Sequence, residues 1–300
     1  MDKLAALASE RSARNLLRND HSNRQLAEHG FMVVPFLEQS QVEELRKHTR
    51  KLVPADERQT KPSLAQDDPE LRREVFAAIE QVSRSWCSTM FHDAKICIAN
   101  FIVKEPEAPD SRIPMHVDWS FVDEREFASI NVWCPLVDVD EANGCLQVVA
   151  GSQHHDVLLR PDTGAARGAH PYHDVLGLLT RDYLQGVPMP AGHAIVYHGR
   201  LLHGSGPNSS RDRRIALGFA VAPVEAPILH SFLVSPTEAE TFEVSTDFFC
   251  TFRPGQRPEG VRSLGTVPYS VAQLNEDEIR CSRHLRPWQR DQAPVGHATT

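Results

Sequence analysis

The sequence contains no uninterrupted apolar run long enough to cross a bilayer, so no helical membrane span is expected. Its opening stretch, MDKLAALASERSARNLLRND, alternates charged with apolar residues and lacks the apolar core of a secretion signal; a cytoplasmic protein is expected. Cysteine is sparse and scattered. Cys87, Cys97, Cys134, Cys145, Cys250 and Cys281 form no CxxC pair, which argues against structural zinc and a disulfide framework and for thiols in a reducing compartment. Basic charge is not in excess either: 32 Lys and Arg stand against 40 Asp and Glu, a net charge of -8, so neither nucleic acid nor an anionic membrane is an expected partner. A Gly-x-Ser-x-Gly motif is missing, and Gly204-Ser205-Gly206 lacks the strand-to-helix turn of a nucleophile elbow, which excludes a serine hydrolase of that kind.

What is present is enough hydrophobic residue, 41% of 300, for a substantial core. The first third reads as mainly helical. Leu4, Leu7, Ala8, Leu16 and Leu17 have near-helical spacing over 4–17, and residues 30–37 form a strand-like run. Ser40-Gln-Val-Glu43 fits a capping box opening a helix with Val42, Leu45, Leu52 and Val53 on one face. Asp68-Pro69-Glu70 signals a second helix, with Leu71, Val75, Ile79, Val82 and Trp86 as its apolar face. From about residue 95 the texture becomes β-rich. Candidate strands at 95–103, 115–121, 128–138, 145–150, 192–198, 201–205 and 213–222 predict a sandwich or barrel, not βαβ units. Between them the polar segment 151–190 reads as a lid or pocket wall. After about residue 226 the pattern is mixed, with a polar, loose end beyond 290.

Fifteen histidines are a reason to look for a metal. In Ile113-Pro-Met-His116-Val-Asp118-Trp119 an imidazole and a carboxylate sit two residues apart, which on a strand aims both at one face. With a histidine from elsewhere they would make the facial triad of non-haem iron oxygenases. His154-His155-Asp156 has the same spacing; the strand-like context favours His116 and Asp118. Downstream, an apolar strand leads to His203, then Ser205, then a Gly/Pro/Asn turn and the basic run Arg211 to Arg214. His203 can supply a nitrogen ligand, Ser205 a hydrogen bond on the same face, and one of the arginines a bidentate grip on a carboxylate.

Taken together, residues 95–222 resemble the phytanoyl-CoA dioxygenase family, the PhyH-type iron(II)/2-oxoglutarate oxygenases. The resemblance is carried by Asn100-Phe-Ile-Val-Lys104-Glu-Pro, by His116-Val-Asp118, by Trp133-Cys-Pro-Leu-Val-Asp-Val-Asp-Glu-Ala-Asn143-Gly144, by Gly151-Ser152, and by His203-Gly-Ser205-Gly-Pro-Asn208 running to Arg214. It implies a mainly β fold with helices: a double-stranded β-helix (jelly-roll, cupin-like) core with an N-terminal helical layer. The expected organisation is one oxygenase domain over 1–300, with 1–94 as helical support, 95–225 as the core carrying a lid-like insertion at 151–190, and 226–300 as a C-terminal extension.

The resemblance further implies that His116, Asp118 and His203 bind iron(II). Arg214, chosen over Arg211 and Arg213 by its spacing from His203, would anchor the far carboxylate of 2-oxoglutarate, with Ser205 beside it. Trp133 would line that pocket, and Asn100 and Lys61 fall where family members touch the co-substrate. The chain has His-Val-Asp where many members have His-Gln-Asp, and Gly151-Ser152-Gln153-His154 where Gly-Ser-His is usual, so His154 receives no ligand role. Because related halogenases lack the carboxylate, Asp118 implies hydroxylation, or the desaturation and cyclisation that share its intermediate. The implied cofactors are Fe(II), 2-oxoglutarate and O2. The expected partner is a small organic substrate, free or linked to a carrier or CoA; Arg200, Arg211 and Arg213 would be the basic surface for such a linkage, and Trp119 and Phe121 candidate substrate contacts. The competing expectation is a cupin-like binding protein that does not turn over or that holds another metal.

Overall fold

The computed structural model describes residues 15–53, 60–155, 159–163, 170–285 and 287. Most of the expected helix at 4–17 lies outside them. Its last residues are extended instead, Leu17 bridging to Phe91. Helix α1 (Asp20–His29) is capped by Asn19, whose side chain accepts from Ser22 N, and is closed by Gly30 at φ 83°, where a side chain would be strained. Strand β1 (Phe31–Pro35) follows, then α2 (Gln39–Leu52). The capping box of α2 is Glu38 with Gln41, not Ser40 with Glu43: the chain turns helical two residues earlier than the Ser-x-x-Glu signal suggests. Val42, Leu45, Leu52 and Val53 are all buried, as the spacing predicts. After the short β2 (Thr60–Pro62), α3 (Pro69–Met90) opens on Asp68, which accepts from the amides of Glu70 and Leu71. Val75 and Ile79 are its most buried apolar positions.

Eight strands then build the core: β3 (Ala94–Lys104), β4 (Ile113–His116), β5 (Ile130–Pro135), β6 (Leu146–Val149), β7 (Leu184–Val187), β8 (His193–His198), β9 (His203–Ser205) and β10 (Arg214–Pro223). Their antiparallel pairing is nested: β3 with β10, β4 with β9, β5 with β8, β6 with β7. A long hairpin folded this way divides into two sheets, β1-β8-β5-β10-β3-β2 and β4-β9-β6-β7, which is the expected jelly roll. The larger sheet buries one face under the helices, with Phe101, Val103, Val132, Leu217 and Phe219 in one cluster with Val75 and Ile79 of α3. By strand alternation its other face carries Asn100, Trp133, Tyr197 and Arg214 toward the smaller sheet. On β10 that inner face reads Arg214, Ala216, Gly218, Ala220, a row of small residues that leaves space between the sheets.

Three expectations change. Strand β4 ends at His116, so Asp118 stands in the loop beyond it and not on the strand. The segment 151–190 is not simply a polar covering: it contains α4 (Leu176–Asp182) and the core strand β7, and Tyr172, Val175, Leu178 and Leu179 are buried. Its polar composition masked a four-residue strand. The chain after 226 is likewise structured, with β11 (Ile228–Ser235), β12 (Glu238–Val244) and β13 (Arg262–Pro268) forming a third sheet, the short α5 (Phe248–Thr251) between the last two strands, and α6 (Glu276–Cys281) after them. Phe242, Phe248, Phe249 and Phe252 bury against Ile98 and Phe121 of the core. Residues 288–300 lie outside the described residues.

Candidate functional site

His116 and His203 end up as direct cross-strand partners on β4 and β9, their ring centroids 4.3 Å apart. Each ring is oriented by the backbone two residues before it: Nδ1–H of His116 donates to Pro114 O and Nδ1–H of His203 to Leu201 O, both at 2.8 Å. A carbonyl can only accept, so the proton sits on Nδ1 and the lone pair of each neutral imidazole lies on Nε2. Those two Nε2 atoms meet the Asp118 carboxylate, His116 at 3.5 Å from Oδ1 and His203 at 3.6 Å from Oδ2. One ligand atom from each of the three residues lies within 4.8 Å of the others, the one such His/Cys/Asp/Glu group among the described residues.

The protonation states suit a cation. Burial alone would raise the Asp118 carboxyl, but His203, His116 and Arg160 outweigh it and hold the group well below the usual carboxylate range. Burial pushes His203 down to about 4, so it is neutral near pH 7. Behind the carboxylate, Asn131 donates to Oδ2 at 2.5 Å and the Tyr197 hydroxyl at 3.3 Å. Burial, then the nearby carboxylate, keep the Tyr197 phenol protonated by raising it well above its ordinary value. Arg160 donates from Nε to the Asp118 carbonyl at 2.6 Å, while its guanidinium pairs with the buried Glu124. Two imidazole nitrogens and a carboxylate oxygen, each supported from behind, fit a first-row divalent ion with positions left open.

The same three residues line a cavity of about 470 Å³ between the sheets, and so do Arg214, Ser205, Trp133 and Asn100. All the expected site residues are therefore brought to one space, except Lys61, whose side chain lies outside the described residues. Its neighbours Pro62, Leu64 and Ala65 line the cavity. Arg214 is buried with its Cζ 5.5 Å from the centre of the Trp133 ring. Its Nη1 donates to Ile102 O, but its Nε has no partner, and burial lowers the guanidinium to about 9. A buried cation that lines a cavity and has no carboxylate partner among the described residues fits a carboxylate ligand. The alternative His154-His155-Asp156 is not assembled with these residues: His154 stacks on His284, and Asp156 lies outside the described residues.

Four contributors were not singled out from sequence: Asn131, Tyr197, Arg160 and Lys104. Asn131 and Tyr197 are isolated polar residues in Ser129-Ile-Asn-Val-Trp133 and Ala194-Ile-Val-Tyr197, on the same alternation as Trp133, which was a usable signal. Lys104 closes β3 after the apolar run Phe101-Ile-Val103, where a snorkelling surface lysine is the ordinary outcome; here it is fully buried.

Comparison with known proteins follows the geometry. Phytanoyl-CoA dioxygenase domain-containing protein 1 of Danio rerio is 30% identical over 130 residues, 42% of this chain and 44% of the relative. The L-proline trans-4-hydroxylase of Streptomyces griseoviridis is 28% identical over 159 residues, 45% of this chain and 58% of that protein. The matched stretch thus spans about half the length of the curated relatives. Among solved structures, the non-heme alpha ketoglutarate dependent carbocyclase SnoK from nogalamycin biosynthesis superposes with a TM-score of 0.54 at 19% identity, over 82% of this chain and 96% of that one. The epimerase SnoN in complex with Fe3+, alpha ketoglutarate and nogalamycin RO gives 0.52 at 19% identity, over 91% and 97%. These two share the fold. The family profile of phytanoyl-CoA dioxygenase (PhyH) matches residues 26–216. A match that runs from α1 through the whole jelly roll into β10 makes this chain a member of the phytanoyl-CoA dioxygenase (PhyH) family.

Proposed function

We propose that the chain is an Fe(II)/2-oxoglutarate-dependent dioxygenase that hydroxylates a C–H bond of a small organic substrate, an intermediate of secondary metabolism. The observation that carries this reading is the single cavity holding both the His116/Asp118/His203 set and, apart from it, the unpaired guanidinium of Arg214. When bound, Fe(II) would supply an oxidant at the expense of 2-oxoglutarate and O2, one oxygen atom going into succinate with release of CO2 and the other to the substrate. The protein's own residues do the rest. His116, Asp118 and His203 would hold the iron. Arg214 and Ser205 would grip the far carboxylate of 2-oxoglutarate, and Trp133 and Asn100 would wall its chain.

Substrate class follows from the walls outside the metal and co-substrate groups. Leu64, Ile98, Trp119, Phe121 and Pro254 are apolar, and no further charged side chain among the described residues lines the cavity. A neutral, largely apolar molecule fits there better than an amino acid, which would need partners for both its charges. Of the three arginines expected to receive a CoA or carrier phosphate, two are already engaged, Arg213 with Glu105 at 2.7 Å and Arg200 3.5 Å from Glu124, which favours a free substrate. Cytoplasmic residence is part of the same reading and is supported by six cysteines that are all free thiols. No described helix is long and apolar enough to cross a membrane.

The test is an anaerobic titration of metal-free protein with Fe(II) and then 2-oxoglutarate, followed in the visible spectrum. A charge-transfer band that requires both is the expected result, with substrate then sought by screening for substrate-dependent succinate formation. Iron binding without a band would favour a cupin-like binding protein. No binding by folded protein would overturn the reading.

A further inference from the structure

Lys104 and Arg214 are register partners on β3 and β10, so two basic side chains enter the protein at adjacent positions. Both are almost completely buried, at 0% and 1% exposure. Neither has a carboxylate partner among the described residues; burial lowers the Lys104 amine to about 6, so it is largely neutral near pH 7, while the Arg214 guanidinium, lowered to about 9, stays charged and lacks a counter-anion. Nζ of Lys104 is not idle. It donates to Ser205 Oγ at 2.6 Å and to the carbonyl of Gly206. Gly144, at φ 80°, leaves the room for this: a Cβ there would lie 3.2 Å from Nζ and 2.6 Å from the Gly206 oxygen. Because Ser205 Oγ already accepts from Lys104, its own O–H is turned away from the amine, and Ser205 lines the cavity beside Arg214.

We infer that Lys104 is a positioning residue which, through Ser205, builds the far-carboxylate subsite and makes the pocket selective for a dicarboxylic 2-oxoacid. This rests on the reading of the cavity as a 2-oxoglutarate site. Lys104 fixes the direction in which the Ser205 hydroxyl donates, beside the Arg214 guanidinium. A 2-oxoacid without the far carboxylate leaves that hydroxyl and the buried guanidinium without a partner.

The experiment compares 2-oxoglutarate with 2-oxopentanoate, the same chain lacking the far carboxylate. Both are titrated anaerobically into Fe(II)-loaded wild type, Lys104→Met, Ser205→Ala and the double variant, with the charge-transfer band as readout. Lys104→Met should weaken 2-oxoglutarate binding about tenfold or more, as expected when the donor that orients the Ser205 hydroxyl is lost, while 2-oxopentanoate binding and Fe(II) affinity stay unchanged. The double variant should be no worse than the more affected single one, because the two residues act as one unit. Unchanged 2-oxoglutarate affinity in Lys104→Met overturns the inference, and so does an equal loss for both ligands, which would make Lys104 a purely structural residue. Should Lys104→Met not fold, Ser205→Ala decides: full retention of 2-oxoglutarate binding there overturns the inference as well. No band in the wild type with 2-oxoglutarate is the separate outcome that removes the co-substrate reading, and this inference with it.

Discussion

Asn131 donates a 2.5 Å hydrogen bond to Oδ2 of Asp118, and thereby distinguishes the two oxygens of that carboxylate. Oδ2 also lies within reach of the Tyr197 hydroxyl, whereas Oδ1 faces His116. A carboxylate held by one oxygen presents the other to a metal in a fixed direction. Asn131→Ala should therefore weaken Fe(II) binding by about 10- to 100-fold, the usual effect of losing a partner behind a ligand. Calorimetric metal titration checks this; wild-type affinity would show that the loop alone orients Asp118.

His116→Ala or Asp118→Ala should abolish Fe(II)-dependent conversion of 2-oxoglutarate to succinate while far-ultraviolet circular dichroism stays native. The two side chains are only partly buried, so their removal leaves no large void. Persistent succinate formation would place the metal elsewhere.

Arg214→Met should raise the 2-oxoglutarate concentration needed for half-saturation by about 100-fold or more, as removal of a bidentate charge-assisted contact does, and leave Fe(II) affinity alone. Equal loss of both would assign Arg214 to the fold. Methionine fills much of the arginine's space against Trp133, which limits collapse of the pocket.

Much of this site was legible in the residues, and the reason is local. His116 and Asp118 lie two apart, His203 and Ser205 lie two apart, and Arg214 begins the next strand, so short-range spacing carried the pattern. What was hidden depends on long-range pairing. Lys104 reaches Ser205 across 101 positions, and Arg160 reaches Asp118 across 42, from a segment that reads as a polar loop. In the fold, β4 and β9 were expected too long because the apolar residues around them continue past the hydrogen-bonded ladder into loops. The strand β7, Leu184-Gln-Gly-Val187, has too little apolar alternation to stand out. The third sheet was missed for a related reason: every residue of β13 is exposed, so no face of it is marked by apolar alternation.

The Arg160–Glu124 pair, each side chain 3% exposed, gives an asymmetric stability prediction. Arg160→Met alone should destabilise by about 3–5 kcal/mol, since it removes the main partner of a buried carboxylate and leaves it only the longer contact to Arg200, and replacing both partners with Arg160→Met and Glu124→Leu should cost less. Urea denaturation of the wild type and the two variants measures it. A double variant less stable than Arg160→Met would mean that the pair is net stabilising through its contact with the Asp118 loop.

Acid should weaken the metal-free protein before any carboxylate is lost. Burial pushes His203 and His230 both down to about 4. The unfolded chain therefore binds more protons than the folded one between that value and about 6.5, and stability falls as pH falls through this window, by up to about 3 kcal/mol per histidine. The Asp118 contribution is present throughout, because its carboxyl stays ionised to lower pH. Denaturation midpoints at several pH values should show the decline; a flat profile would mean that both imidazoles find partners when protonated.

The nested pairing of the eight core strands also fixes when the metal centre comes into being during synthesis. The fold-over pair, β6 with β7, lies innermost in sequence, and the pairs outside it need progressively more distant stretches of chain. A nascent chain that has not yet delivered His203 cannot close β4 against β9, and the pocket has no rear wall until β10 docks on β3. Such late, long-range closure is entropically slow. A metal ion at these ligands would thus act as a latch on the finished barrel and slow its reopening, without guiding the collapse that precedes it.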